Sequence, residues 1–189
     1  MATRRRKTME YRRKREGRTD YKGRLLMLRG GKARLVVRKS LSNISCQIVE
    51  YQAAGDKVVV AARSSELKAH GWKAANGNLP AAYLTGLLLG KKAIKAGVKE
   101  AILDLGLQNA RAKGRLFATV AGARAAGLNI PVDEVVLPDE DRIKGAHIAA
   151  FAKDVKNKAQ FDVVKKRGSD PSKIGEEFVA TEKKINALS

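Results

Sequence analysis

Cysteine, aromatic side chains and, through the middle of the chain, carboxylates are all scarce. A single cysteine, Cys46, in 189 residues excludes an internal disulfide and a multi-cysteine metal site, and it fits a reducing compartment. Set in an apolar strand pattern, Cys46 reads as core and not as a nucleophile. Aromatic residues make up 5% of the chain against 44% hydrophobic in all, so a core has to be built from Leu, Ile, Val and Ala. Between residues 25 and 130 the only carboxylates are Glu50, Asp56, Glu66, Glu100 and Asp104. A two-metal nuclease needs several carboxylates converging on its ions. These are spread over strand ends and turns, and Glu100 and Asp104 could share a strand face without a third partner. His70 and His147 lie far apart, and no Gly-x-Ser-x-Gly, P-loop or His-Glu-x-x-His motif is present. No catalytic residue, metal or cofactor is expected. The longest apolar stretch, residues 79–90, is far short of the roughly 18–20 residues of a membrane span. The basic start is not followed by the apolar region of a secretory signal, so no membrane association is expected.

What the chain has in place of these is positive charge. Lys and Arg number 39 against 19 Asp and Glu, a formal net charge of +20 and a pI of about 10.3. The charge is unevenly placed. Residues 1–24 carry eleven basic and three acidic side chains, residues 25–130 seventeen and five, and residues 131–189 eleven of each. The length suits one domain with extensions, at roughly 100–200 residues per domain. A basic balance alone is compatible with DNA, RNA or an anionic membrane. The first 24 residues narrow this. Almost no aliphatic residue precedes Leu25, so the segment cannot bury a core, and its like charges repel until a dense polyanion orders them. RNA is the expected polyanion. Tyr11 and Tyr21 can stack on bases, and Arg side chains fork onto phosphates. The plain alternative is a solubilising tail.

Past the arm, a helix over residues 21–28 is anchored by Leu25, Leu26 and Leu28 and broken at Gly30-Gly31. Three short β-branched runs, 34–39, 44–51 and 57–63, are joined by hairpin-length turns and read as an antiparallel meander. Ser64 and Ser65 cap a short helix, and a Gly/Asn-rich loop covers 71–77. Asn78 caps a helix over 79–96 that is apolar nearly all round and therefore buried, with Pro80 in its first turn and Gly97 after its end. Residues 100–105 read as a central strand and 116–126 as a second helix. Residues 129–136 hold a fifth strand or an extended crossing. This order indicates an α/β fold with a mixed sheet, and a right-handed crossover places helices on both faces. Helices are also expected over 145–158 and from Asp170-Pro171 onward. The units are a basic arm (1–24), an α/β domain (25–137) and a helical C-terminal extension (138–189). Residues 131–189, with balanced charge, are expected to pack on protein or lie partly solvated.

Alternation puts Leu35 and Val37 on one face of the first strand and Arg34, Val36 and Arg38 on the other. With Lys39, Ser40 and Asn43 this basic face suits RNA, and equally a solvated sheet face. The loop 106–115, with Arg111, Lys113 and Arg115, is either a phosphate contact or an ordinary polar connection. Gly86-x-x-x-Gly90 reads as close helix–sheet packing, because the apolar span is too short for membrane dimerisation.

Several runs together resemble one ribosomal family: Tyr11-Arg-Arg-Lys-Arg-Glu-Gly-Arg-Thr-Asp-Tyr21, Arg34-Leu-Val-Val-Arg-Lys-Ser40, Gln47-Ile-Val49, Gly71-Trp72, Gly77-Asn-Leu-Pro-Ala-Ala-Tyr-Leu-Thr-Gly86, Ala101-Ile-Leu-Asp104 and Arg142-Ile-Lys-Gly-Ala-His-Ile148. No one of them is specific, but their order and spacing are similar to the archaeal form of the large-subunit ribosomal protein-eighteen family, over about residues 4–150. The resemblance implies a structural ribosomal protein of the central protuberance, in the cytoplasm, that binds 5S rRNA and helps seat it on large-subunit rRNA. It implies a neighbouring large-subunit protein that also binds 5S rRNA. It implies a three-layer α/β domain resembling ribonuclease H without the nuclease site. The RNA-binding residues implied are Arg4, Arg5, Arg6, Lys7, Tyr11, Arg12, Arg13, Lys14, Arg15, Arg18, Thr19, Tyr21, Lys22 and Arg24 on the arm. On the hairpin they are Arg34, Arg38, Lys39, Ser40 and Asn43, joined by Trp72, Arg142 and Lys144. The rival readings are an RNA-processing nuclease on the same fold and a non-specific nucleic-acid-binding protein.

Overall fold

Four strands, β1 (Arg34–Lys39), β2 (Ile44–Glu50), β3 (Lys57–Arg63) and β4 (Ile102–Asp104), form one mixed sheet in the order β3-β2-β1-β4. The computed structural model describes residues 8–154 and 159–188. The strands β1, β2 and β3 make the antiparallel meander, and β4 runs parallel to β1. The residues 100–105 read as a central strand, but β4 is the edge of this sheet. Beyond it lies a single parallel bridge, Glu100 to Asn129, in place of a fifth strand. Pro131 follows two residues later and has no N–H for a ladder, and residues 134–136 turn into a 3-10 segment capped by Asp133.

Period-two alternation decides which side of the sheet is core. Leu35, Val37, Ile44, Cys46, Ile48 and Ala62 are buried on the inner face. Across it lie α3 (Leu79–Lys95) and α4 (Arg115–Ala125). Asn78 caps α3 by accepting the Ala81 N–H at 2.9 Å, and Pro80 stands in the first turn. Helices α3 and α4 thus share one face instead of dividing between both. The reason is α3 itself, which is buried on nearly every side and needs the sheet and a second helix to cover it. Gly86 and Gly122 permit the crossing. A Cβ on Gly86 would lie 1.9 Å from the Thr119 carbonyl oxygen, and one on Gly122 would lie 2.0 Å from that of Tyr83. The small-residue spacing therefore serves helix–helix packing, not helix–sheet packing.

Among the described residues, the opposite face is overlain by the segment that runs from the arm through residue 29. There α1 (Arg12–Arg15) is followed by α2 (Tyr21–Arg29), capped by Asp20, whose Oδ1 accepts from the Lys22 and Gly23 N–H groups at 3.0 Å each. Leu25 and Leu26 do not anchor α2, being 55% and 65% exposed. The helix turns Met27 and Leu28 partly inward instead. Burial of the thiol at Cys46 raises its pKa far above the usual range, as a core side chain requires.

Helices α5 (Glu140–Lys144), α6 (Ala146–Asp154), α7 (Asp162–Lys166) and α8 (Ile174–Asn186) complete the chain. Gly145, at φ +83°, separates α5 from α6, so the helix over 145–158 is one of two, and its last residues, 155–158, lie outside the described part. Ile174, Phe178 and Ile185 join the main core, and the Phe178 ring lies 5.6 Å from that of Tyr83 on α3. The charge-balanced tail thus packs back on its own domain.

Candidate nucleic-acid interface

The alternation that builds the core also builds the outer face of the sheet. Arg34, Val36 and Arg38 stand there, paired with Val49, Gln47 and Ser45 of β2, and Asp104 pairs with Val36 from β4. Asp104 therefore lies between two guanidiniums four residues apart on one strand. Arg34 Nη1 donates to Asp104 Oδ2 at 2.9 Å and Arg38 Nη2 to Oδ1 at 3.1 Å. Arg38 Nη1 also donates to the Asp104 carbonyl at 2.7 Å. Arg34 Nη2 reaches on to Asp56 Oδ2 at 2.6 Å, and Arg24 of α2 closes on Asp56 Oδ1 at 2.8 Å. The outcome is a chain of alternating charge, Arg24–Asp56–Arg34–Asp104–Arg38, that fastens the arm to the sheet. The hydrogen bond from Arg24, helped by that from Arg34, holds the Asp56 carboxyl below its ordinary pKa against desolvation, and the same contact raises that of Arg24.

Elsewhere on the arm the ion pairs are exposed. Arg12 pairs with Glu16 at 2.7 Å, Arg18 with Glu16 at 3.2 Å, and Lys14 with Glu10. Such pairs contribute about 0–1 kcal/mol, so phosphates can replace the glutamates easily. Arg13 donates to Thr19 Oγ1 at 2.9 Å, and the rings of Tyr11 and Tyr21 lie 5.0 Å apart. Arg13, Arg15 and Lys22 make no ion pair among the described residues. Arg4, Arg5, Arg6 and Lys7 lie outside the described residues.

Three recesses adjoin along this side. A cleft of about 940 Å³ between arm and sheet is lined by Arg13, Arg18, Tyr21, Arg24, Arg34 and Arg38 over Val36, Gln47, Val49 and Val58. Arg38 also lines a recess of about 320 Å³ with Lys39, Ser40, Asn43 and Arg63. Lys39 in turn lines a third, of about 550 Å³, with Arg111, Lys113, Arg115, Arg142 and His147. Shared residues make the three one basic band, running from the arm past the first hairpin to α5. In the third recess, burial and then the charge of Arg142 push the pKa of His147 down.

The family profile described as ribosomal large-subunit proteins 60S L5 and 50S L18 matches residues 5–100. Large ribosomal subunit protein uL18 of Methanococcus maripaludis is 45% identical over 180 residues, 93% of each chain. That of Korarchaeum cryptofilum is 43% identical over 185 residues, 96% of this chain and 95% of the relative. The chain belongs to this ribosomal protein family. It is accordingly a structural constituent of the large ribosomal subunit, placed in the cytoplasmic ribosome beside rRNA and other ribosomal proteins, and not an enzyme.

Of the residues singled out from the family likeness, Arg34 and Trp72 are buried. Arg34 stands on the face that alternation predicts, but it is 3% exposed and its two Nη atoms are held by carboxylates, so it organises the face from beneath. Trp72 is 1% exposed, its indole N–H donating to the Ala75 carbonyl at 3.3 Å. It is core, with no ring face for a base. Ser40 and Asn43 close the hairpin turn: the Ser40 hydroxyl donates to the Asn43 carbonyl and accepts the Asn43 N–H, both at 3.0 Å. Lys144 pairs with Glu140 at 3.1 Å. Conversely, Arg111, Lys113 and Arg115 belong to the band, as the open reading of their loop allowed. Asp56 carries no signal in the sequence, since only the meeting of turn and arm gives it a role.

Proposed function

We propose that this ribosomal family member binds 5S rRNA in the central protuberance and seats it on large-subunit rRNA, beside another large-subunit protein that binds 5S rRNA. The observation that carries the reading is the continuous basic band, in which Asp56 and Asp104 are already neutralised by arginines and the arm's own glutamates are weakly held. Lys and Arg of the band neutralise phosphates and release counterions, so log affinity falls by about 0.7–0.9 per log unit of salt for each phosphate contacted. Selectivity comes from loops, bulges and shape, because side chains cannot read the deep major groove of A-form RNA. Asp104 has no part in hydrolysis on this reading: Arg34, Arg38 and the Gly106 N–H all bind its carboxylate. Deleting residues 1–19, which spares the Asp20 cap and the Arg24–Asp56 pair, should weaken 5S rRNA binding sharply and flatten the salt slope while thermal unfolding stays cooperative. Unchanged affinity in that truncation would remove the arm from the interface.

A further inference from the structure

We infer that the cleft between the arm and the sheet holds one unpaired nucleotide of the bound RNA, with its base on the sheet and its phosphate on the arginines at the rim. This rests on the RNA-binding reading above and adds a defined site to it. At about 940 Å³ the cleft falls in the range of roughly 300–1,000 Å³ typical of sites that enclose a small organic ligand. Its floor is the outer sheet face: Val36, Val49 and Val58 supply apolar lining, and Gln47 stands among them. An apolar floor suits the π-face of a base, and a carboxamide beside it can both donate to and accept from a base edge. Tyr21 forms part of the wall and Arg13 and Arg18 part of the rim.

A further observation favours an anionic guest. The carboxylates that line the cleft are all engaged: Asp20 caps α2, Asp56 binds Arg24 and Arg34, and Asp104 binds Arg34 and Arg38. They soften the positive field of the cleft without opposing a phosphate. A base inside an A-form duplex offers neither its face nor its Watson–Crick edge, so the nucleotide is an unpaired one from a loop or bulge.

Val58→Trp fills the floor from a position that is 49% exposed, and Gln47→Ala removes the carboxamide without adding bulk. Full-length wild type and both variants are titrated with 5S rRNA and with a blunt RNA duplex at one salt concentration. Each variant should bind 5S rRNA about tenfold more weakly, the scale of one lost base contact, with duplex affinity unchanged. Ultraviolet cross-linking of the wild type should join an unpaired nucleotide to a peptide of β2 or β3. Wild-type affinity for 5S rRNA in Gln47→Ala and in a folded Val58→Trp would overturn the site, as would equal losses on both RNAs. Displacement of the RNA by micromolar AMP or UMP would overturn its assignment to an RNA nucleotide. If the wild type itself shows no preference for 5S rRNA over the duplex, the reading above fails. If the preference is there and both variants keep it, only the nucleotide site fails.

Discussion

Asp104 shows how one carboxylate can organise a cationic surface. It is nearly buried and neutralises Arg34, which is itself 3% exposed and so shielded from solvent. Removing one partner of a buried pair leaves an uncompensated charge, so Asp104→Asn should destabilise the chain by about 3 kcal/mol, read as a lower urea midpoint. An unchanged midpoint would contradict the role given to this pair. Asp56 makes a different prediction, because it ties arm to sheet and its folded pKa is depressed, first by the hydrogen bond from Arg24. A depressed carboxylate pKa stabilises the fold above the unfolded value, about 3.9, and the gain is lost as pH falls through the lower folded value. The stability difference between wild type and Asp56→Asn should therefore be constant above about pH 5 and shrink below about pH 4. A difference that grew on acidification would mean the sign is wrong.

Among the elements, the crossing of α3 and α4 is the least forgiving. Gly86 and Gly122 bring one helix's backbone against the other's, and backbone cannot move aside as a side chain can. Gly86→Ala and Gly122→Ala should each cost more than the roughly 1–3 kcal/mol of ordinary overpacking. Gly23→Ala should be milder, because its Cβ would meet only the Asp20 carboxylate, 2.7 Å away. Thermal melts of the three variants decide the order, and equal melting would contradict it. This crossing also marks what could be read without a structure. The meander, the buried helix over 79–95 and the face carrying Arg34 and Arg38 follow from local periodicity and caps. The sharing of one face by α3 and α4 does not, since it depends on how two glycines meet across 36 positions of chain. The edge position of β4 and the burial of Trp72 are likewise tertiary outcomes. Leu25 and Leu26 mislead for a related reason: α2 is fastened by Arg24 on Asp56, so its leucines need not face the sheet.

For the whole molecule, the division of charge matches the division of labour. The tail helices carry as many acidic as basic groups, with α5 and α8 packed on α3, while +18 of the net +20 belongs to the arm and the α/β domain. A chain with that excess binds any polyanion at low salt, so affinity alone says little about its role. Selectivity at moderate salt says more, because counterion release is then weaker and RNA shape contributes a larger share. The most direct measurement is binding of the full-length chain to 5S rRNA across a salt series, with excess tRNA and duplex DNA as competitors. The account predicts a steep salt slope together with a preference for 5S rRNA that survives as salt rises. Equal binding to all three nucleic acids, with the preference absent at every salt concentration, would contradict it.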